Sequence, residues 1–441
     1  MAKSKVEIVE TIKKEGVQFV QLWFTDVLGF LKGLTISSSE VERAFQHGLA
    51  FDGSSIEGFA RVEESDMVIK PDVNTFAILP WEIQGGRAAR MFCDVFTPKG
   101  KPVEFDPRRV LRRVLKNIEK MGYTAYVGCE LENFYFKTNE HAELLDQGSY
   151  FDLIPTALAE QVRGATIAAL KKLGISVEYS HHEVSPSQHE VDLRYTDALT
   201  MADSVITYRF VARQVARENG IHCSFMPKPV FGINGSGMHT HISLFQGSKN
   251  AFFSAKDKMN LSVVCRYFIA GLLKYAPEIT AVTNQWVNSY KRLVPGYEAP
   301  IYISWARMNR SALIRVPAFS KERPEAARIE FRSPDPACNP YLAFAVIFAA
   351  GLKGIEDKLS LGPPTPDNIY RMTEDERQKA GITSLPKDLS EAIQLAEKSQ
   401  LVRNTFGEEL FRFFLRNKKQ EWDEYKAQVT EFEIKRYLPI L

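Results

Sequence analysis

The sequence predicts an α+β fold in two domains, and three observations predict it. At 441 residues the chain exceeds the roughly 250–300 at which a single core stops growing. Alternating apolar runs fill much of residues 17–96, then stop at Pro98-Lys99-Gly100-Lys101-Pro102 and give way to a helix start at Asp106-Pro107. That break places a boundary near residue 103, hence domains 1–103 and 104–441. Beyond it, several separate strands carry Glu, His or Arg on their polar face, the pattern of a curled sheet lining a shared cavity.

Taken in order, Met1 to Gly16 alternates like an amphipathic helix, and Val17 to Phe24 with Gly29 to Ile36 read as a hairpin. Phe51-Asp52-Gly53-Ser54-Ser55 and Ile56-Glu57-Gly58-Phe59 are turn-rich and read as a surface loop. Strand-like pieces continue from Asp66 through Phe76 and Trp81, and from Gly86 to Phe96. In the second domain the Asp106 cap starts a helix with Val110, Leu111, Val114, Leu115 and Ile118 on one face. Helical periodicity returns at Pro155–Leu173, Met201–Gly220 and Leu261–Ala276. The apolar run Tyr341–Leu352 is too short to span a bilayer and reads as a buried helix. Past Pro363, Pro364 and Pro366 the chain ends in helices whose Leu410, Phe411, Phe413 and Phe414 need a partner surface.

The formal net charge of +2 is too small to point to nucleic acid or membrane as a partner, so an anionic substrate must be met by local basic residues. Cys93, Cys129, Cys223, Cys265 and Cys338 are scattered singly and odd in number, which favours a reducing cytoplasm. The charged N-terminus lacks the apolar core of a secretion signal.

The densest chemistry lies in Glu178 to Glu190, with three carboxylates and three imidazoles around the turn Ser185-Pro186-Ser187. Alternation after the turn puts Gln188, Glu190, Asp192 and Arg194 on one side. A solvated sheet face accounts for any one such strand. The same pattern recurs, however, at Glu130 and Glu132, at His239, His241 and Ser243, and at Glu330 and Arg332. Faces of this kind turned into one cavity collect carboxylates with a few imidazoles, oxygen-rich ligation that suits Mg²⁺ or Mn²⁺ over zinc. Mg²⁺ in turn works with phosphate-bearing substrates. A P-loop is absent. Asn234-Gly235-Ser236-Gly237 reads as a plain turn or as a loop serving the His239 strand. Asn288 to Pro300, with Glu298 near its tip, reads as a lid or an exposed connector. Arg310, Arg315, Arg328 and Arg332 are surface charge or anion-binding forks.

These residues together resemble the type I glutamine synthetases. Phe51-Asp52-Gly53-Ser54-Ser55-Ile56, Asn234-Gly235-Ser236-Gly237-Met238-His239, Asn288 to Pro300 and Asn309-Arg310-Ser311 are similar to that family's motifs in order and spacing, nearly end to end. The resemblance implies a small N-terminal β-grasp domain and a larger catalytic domain whose curved antiparallel sheet forms a half-barrel flanked by helices. It implies a homo-dodecamer of two hexameric rings with active sites between subunits. It also implies ATP-dependent ligation of ammonia to the side-chain carboxylate of L-glutamate through a γ-glutamyl phosphate, with two Mg²⁺ or Mn²⁺ per site and ATP as co-substrate.

By the same resemblance Glu132, Glu183 and Glu190 hold one metal, and Glu130, His239 and Glu330 the other. ATP lies near Glu178, His241, Ser243 and Arg328, and glutamate near Asn234, Gly235, Arg292, Arg310 and Arg332. Arg315 faces the transferred phosphate. Glu298 is the lid, and Asp52 from the adjacent subunit, with Tyr150 and Glu183, forms the ammonium site, Asp52 acting as base.

Some positions depart from the family pattern. Glu130-Leu131-Glu132-Asn133 lacks the usual Pro between its acids and the aromatic after them. The segment Phe319 to Glu325 is slightly long, so no nucleotide contact is assigned to Lys321 or Arg323. Asn368-Ile369-Tyr370-Arg371-Met372 differs from the branch regulated by adenylylation, and Tyr370 is read as an unmodified loop tyrosine. Glu57-Gly58-Phe59-Ala60-Arg61 resembles the branch inhibited directly by glutamine, making Arg61 a regulatory candidate. A nitrogen-regulatory protein partner is compatible with the resemblance. The competing readings are a ligase for a larger amine, against which Asp52, Tyr150 and Glu298 stand, and a non-catalytic ring scaffold, which would have lost metal ligands.

Overall fold

The computed structural model describes residues 4–54, 56, 66–153, 157–307, 309–365 and 369–441. Helix α1 (Lys5–Lys14) opens on a capping box in which Ser4 and Glu7 each accept from the other's backbone N–H. Strands β1 (Phe19–Thr25) and β2 (Leu31–Ser37) form the expected hairpin. Its turn uses Gly29 at φ +85°, where an added Cβ would meet the Asn339 backbone at 2.8 Å. After α2 (Val41–His47) come β3 (Leu49–Asp52), β4 (Asp66–Pro71), β5 (Ala77–Ile83) and β6 (Gly86–Phe96). The sheet order is β2-β1-β6-β4-β3 with β5 on β6, and β1 runs parallel to β6.

Here the structure corrects the loop reading. Phe51 and Asp52 end strand β3, because pairing with Met67 and Asp66 supplies backbone partners that local composition cannot reveal. Residues 57–65, with the regulatory candidate Arg61, lie outside the described residues.

Alternation splits the first sheet between two cores. Val20, Leu22, Ile69 and Met91 pack in a small core of their own, while Trp23, Val27, Ala88 and Phe92 face the second domain and join its core. A buried ionic knot reinforces that contact. Asp106 caps α3 (Pro107–Lys120), accepting from the Arg108 N–H at 3.0 Å and from the Val95 N–H at 3.1 Å. The buried Arg108 guanidinium then donates to Asp72 (2.9 Å), Asp94 (2.7 Å) and Asp203 (2.8 Å). Tyr341 closes the set by donating to Asp203 at 2.6 Å.

The second domain is built on β7 (Thr124–Phe136), β8 (Val177–His182), β9 (Gln188–Asp197), β10 (His222–Ser224), β11 (Met238–Gln246), β12 (Lys249–Asn250), β13 (Trp305–Ala306), β14 (Ile314–Arg315) and β15 (Ile329–Phe331). Their order is β13-β14-β15-β11-β7-β9-β8, with β10 on β7 and β12 on β11, antiparallel except for β13 and β14. This is the curled half-barrel that the sequence predicts. Val127, Cys129, Leu131, Val191, Leu193, Ile242 and Leu244 form its apolar face, covered by helices that include α3 and, among those that follow, α4 (Leu158–Lys172) and α5 (Ala198–Glu218).

Behind these lie α6 (Val263–Thr283), α7 (Ser289–Arg292) and α8 (Pro340–Glu356). Helix α6 runs through Pro277, past the expected end at Ala276. Proline removes one helical rung, and packing against α8 outweighs that loss. The contact is close because Gly271 and Gly354 face each other: a Cβ on Gly354 would sit 2.1 Å from the Tyr267 carbonyl. As expected, α8 is almost wholly buried.

The chain closes with α9 (Glu374–Lys379), α10 (Leu389–Lys398), α11 (Gln400–Phe406), α12 (Glu408–Lys426) and α13 (Glu431–Tyr437). Leu410, Phe411 and Phe414 of α12 find their partner surface in the core, whereas Phe432, Leu438, Ile440 and Leu441 remain exposed. Among the described residues no helix is long and apolar enough to cross a membrane.

Arg108 offers a direct test of the knot. Arg108→Ala leaves Asp203 without its guanidinium partner and Asp72 and Asp94 to Arg112 alone, a loss of about 3–5 kcal/mol expected for one partner of a buried pair. The melting temperature should drop sharply, whereas Arg412→Ala, which breaks the exposed Glu408 pair, should shift it little.

Candidate active site

The face of the half-barrel opposite the apolar one carries the acids. In the β7–β9 register Glu130 lies beside Asp192 and Glu132 beside Glu190. On the other edge Glu130 pairs with His239, and His241 pairs with Glu330, which in turn sits beside Arg315. Neighbours across strands have Cβ atoms only about 5 Å apart, so the sheet itself forces these charges together.

Two clusters result, each with ligand atoms within 4.8 Å of one another: Glu130, His239 and Glu330, and His181, Glu183 and Glu190. In the first, Glu130 accepts from His239 Nδ1 at 2.9 Å and from His241 Nε2 at 2.6 Å. Arg328 Nε lies 3.2 Å from His241 Nδ1. Arg315 Nε donates to Glu330, as does Arg332 Nε at 3.1 Å. In the second, His181 Nδ1 donates to the His182 carbonyl at 3.0 Å, and its Nε2 shares a hydrogen bond with Glu190 at 3.2 Å. Glu132, expected in this group, instead accepts at 2.9 Å from both Gln188 Nε2 and the Gly237 N–H, with His239 Nε2 at 4.0 Å. It lines the same chamber as both clusters.

The two halves titrate differently. Burial works to raise Glu130, but the His241 charge and the hydrogen bonds from His239 and His241 hold it well below the usual carboxylate range. Glu330 is likewise held low against burial, by His241 and Arg332. On the other side burial, then the charge of Glu183, pushes Glu132 up to about 8. Burial, with Asp192 and Glu132, pushes Glu190 well up, and Glu183 rises chiefly through burial. An acid set raised first by burial and then by its own repulsion is an oxygen-rich donor group short of positive charge, which is the chemistry of a hard divalent cation site. The residues present therefore fit Mg²⁺ or Mn²⁺.

Two cavities meet at Glu130 and Tyr179. The larger, about 700 Å³, is lined by both clusters together with Tyr150, Asn234, Gly235, Arg292, Glu298, Arg310, Arg315 and Arg332. Every residue expected around glutamate is thus brought to one chamber. Gly235 admits no side chain, since a Cβ would lie 2.3 Å from the Pro227 carbonyl. Arg292 spends its Nη1 on the Ser333 carbonyl at 2.6 Å, while Arg332 Nη1 is buried with no hydrogen-bond partner among the described residues, a donor suited to an anion. The smaller cavity, about 190 Å³, is lined by Glu178, His241, Ser243 and Arg328, the expected nucleotide residues.

Asp52 is not among the residues lining either cavity. It is exposed on the first domain, where hydrogen bonds from Ser54 hold its carboxyl below the usual range. Glu298 reaches Asn234 Nδ2 at 3.5 Å from a backbone at φ +57°.

Several residues near the site were not assigned from the sequence. Asp146 gathers His182 Nε2 (2.9 Å), His189 Nε2 (3.4 Å) and the Ser187 N–H (2.9 Å), a third cluster whose His189 Nδ1 is taken by Arg163 at 2.7 Å. The spacing of Asp146 from the histidines hides it. Alternation places Gln188 on the polar face but does not reveal its hydrogen bond to Glu132. Arg323 lines the smaller cavity although no nucleotide contact was assigned to it, and Tyr370 lines the larger.

Comparison with known proteins places this geometry. Residues 104–437 match the glutamine synthetase catalytic domain and residues 16–98 the glutamine synthetase β-grasp domain. The chain is 50% identical over 446 residues to the glutamine synthetase of Mycolicibacterium smegmatis, covering 100% of both. It is 50% identical over 438 residues to that of Thermotoga maritima, covering 98% of this chain and 99% of the relative. Among solved structures it is similar to a Plasmodium falciparum glutamine synthetase determined by cryo-electron microscopy, with TM-score 0.90, 26% identity and 99% coverage of both chains. A GmaS complex with ADP matches with TM-score 0.89, 28% identity and 100% coverage of both.

The raised acids make a checkable statement about cation binding. With its carboxyl at about 8, Glu132 holds its proton at pH 7 and must lose it to ligate, so adding Mg²⁺ should release protons. Calorimetry in two buffers of different ionisation enthalpy should count about one proton or more per chain, and fewer for Glu132→Gln. An unchanged count would remove Glu132 from the ligand set.

Proposed function

Since the chain belongs to the glutamine synthetase family, which forms glutamine from glutamate and ammonia with ATP, we propose that its two joined cavities carry out that synthesis in two steps. The observation that carries the reading is the gathering of Glu130, Glu132, Glu183, Glu190, His239 and Glu330 where an arginine-lined chamber meets a second cavity. Glu132, Glu183 and Glu190 would hold one cation, and Glu130, His239 and Glu330 a second. Bound there, divalent cations supply positive charge to the nucleotide's phosphate oxygens during transfer.

Glu178, His241, Ser243 and Arg328 hold ATP with its terminal phosphate toward Glu130. Asn234, Gly235, Arg292, Arg310 and Arg332 hold glutamate with its side-chain carboxylate toward that phosphate. A carboxylate oxygen attacks the terminal phosphorus, the bond to ADP breaks, and a γ-glutamyl phosphate forms. Arg315 offsets the charge on the transferring group. Ammonium then sits between Tyr150, Glu183 and Asp52 of the partner subunit. Asp52, kept ionised by Ser54, takes its proton. Ammonia attacks the acyl carbon and phosphate leaves, while Glu298 shuts out water that would hydrolyse the intermediate.

The same reading includes a homo-dodecamer of two hexameric rings. It is supported by Asp52 lying outside its own chain's cavities and by the exposed apolar residues after Thr430. Cytoplasmic residence is supported by five free, buried thiols. The domain division at residue 103 is supported by the gap between the two matched segments. Arg61 as transmitter of glutamine inhibition, in a branch not regulated by adenylylation, and a nitrogen-regulatory protein partner complete the proposal.

Phosphate release by the full chain tests it, with ATP, glutamate and Mg²⁺ and either ammonium or a polyamine supplied. Release dependent on ammonium is expected; turnover with the polyamine alone would overturn the substrate, and none at all the enzyme. Asp52→Ala should leave ATP binding nearly intact while slowing amide formation about 10²-fold or more. Equal loss of both would remove Asp52 as base.

A further inference from the structure

Tyr370, read from the sequence as a loop tyrosine, stands at the active chamber. It lies on the turn Ile369–Arg371, whose Ile369 N–H donates to Ser311 Oγ at 3.2 Å. Ser311 directly follows Arg310, a residue of the glutamate side. From this turn the Tyr370 hydroxyl donates to the Ala299 carbonyl at 2.5 Å, and its side chain lines the chamber with Glu298, Ala299 and Arg332. Burial pushes the phenol up to about 12, so at working pH it keeps the proton it donates.

The carbonyl it grips follows the lid residue. Glu298 is a non-glycine residue at φ +57°, a conformation that persists only when its surroundings hold it. Other holds are Lys228 Nζ over the Tyr297 ring at 3.6 Å and the Asn234 contact to Glu298 at 3.5 Å. The Tyr370 bond is much shorter than the Asn234 contact. Its base is firm: the Tyr302 ring lies 6.0 Å from that of Tyr370, and the chain on either side of Tyr302 is tied by Leu385 N–H to Ile301 and by Ile303 N–H to Thr383.

We propose that Tyr370 is a positioning residue for the lid: by holding the Ala299 carbonyl it keeps Glu298 over the chamber and ties closure to the Arg310–Ser311 loop. This rests on the reading of Glu298 as the cover of a γ-glutamyl phosphate. When the lid opens, water in place of ammonia attacks the acyl phosphate, regenerating glutamate and releasing phosphate. ATP is then consumed without glutamine being made.

Tyr370→Phe removes the hydroxyl and keeps the ring. Loss of one such hydrogen bond should shift lid opening by a factor of about 2–10. Glutamate-dependent phosphate release without ammonium should rise by that factor, and with ammonium more than one phosphate should appear per glutamine. The ratio is insensitive to any unfolded fraction, which makes neither product, and KM for ATP should not move. A ratio and an ammonium-free rate equal to those of the unmutated chain would overturn the latch. An unmutated chain without glutamate-dependent release would overturn the function and the latch with it. Were the variant too unstable to purify, hydrogen exchange of the unmutated chain decides: residues 297–299 should exchange as slowly as residues 369–371. Exchange as fast as that of an exposed loop would overturn the proposal.

Discussion

Like charges forced into one buried space are the constraint on which the rest of the structure depends. Cross-strand pairing sets Glu130 beside Asp192 and Glu132 beside Glu190, and the curl of the sheet brings Glu183 and Glu330 to the same face. The protein compensates half of this set itself, with His239, His241, Arg315 and Arg332 around Glu130 and Glu330. The other half, Glu132, Glu183 and Glu190, is left with raised pKa values. That asymmetry separates a half whose acids the fold holds ionised from a half that it leaves short of positive charge.

Holding mutually repelling groups needs a scaffold that cannot relax. Behind the sheet, α6 and α8 meet at glycines, leaving no slack for the apolar face to shift. At the hairpin tip, Ser187 adopts φ +62°, and its N–H and hydroxyl are tied to the Asp146 segment. Asp146 also takes His182 and His189, each adjacent in sequence to a metal-ligand candidate, Glu183 and Glu190. The histidines flanking the acids thus anchor the turn that aims them. Between domains the Arg108 knot sets how the sheet bearing Asp52 sits on the larger domain.

The sequence made the site legible because period-two alternation survives in a single chain: Glu130 with Glu132, His239 with His241 and Glu330 with Arg332 announce a polar face without any knowledge of their partners. What alternation cannot carry is partnership over long separations. The Arg108 knot joins residues 72, 94, 203 and 341, each of which alone reads as ordinary charge or core. Strand β3 hid because Asp52 precedes a Gly-Ser-Ser run and its pairing partner, Asp66, comes well after it in the sequence. Helix α6 outran its proline because packing with α8 is a tertiary term. The bond from Tyr370 to the Ala299 carbonyl was hidden for the same reason, since it spans 71 residues.

Among the described residues three clusters of ligand-capable groups differ in their chemistry. The first two face the chamber and are rich in oxygen. The third, Asp146 with His182 and His189, sets two imidazoles against one carboxylate and does not line the chamber. Anomalous scattering from crystals of the full chain grown with Mn²⁺ reads this directly. The account predicts two peaks per chain, one at Glu130, His239 and Glu330 and one at Glu132, Glu183 and Glu190, with none at Asp146. A peak at Asp146, or an empty chamber at saturating Mn²⁺, would contradict it.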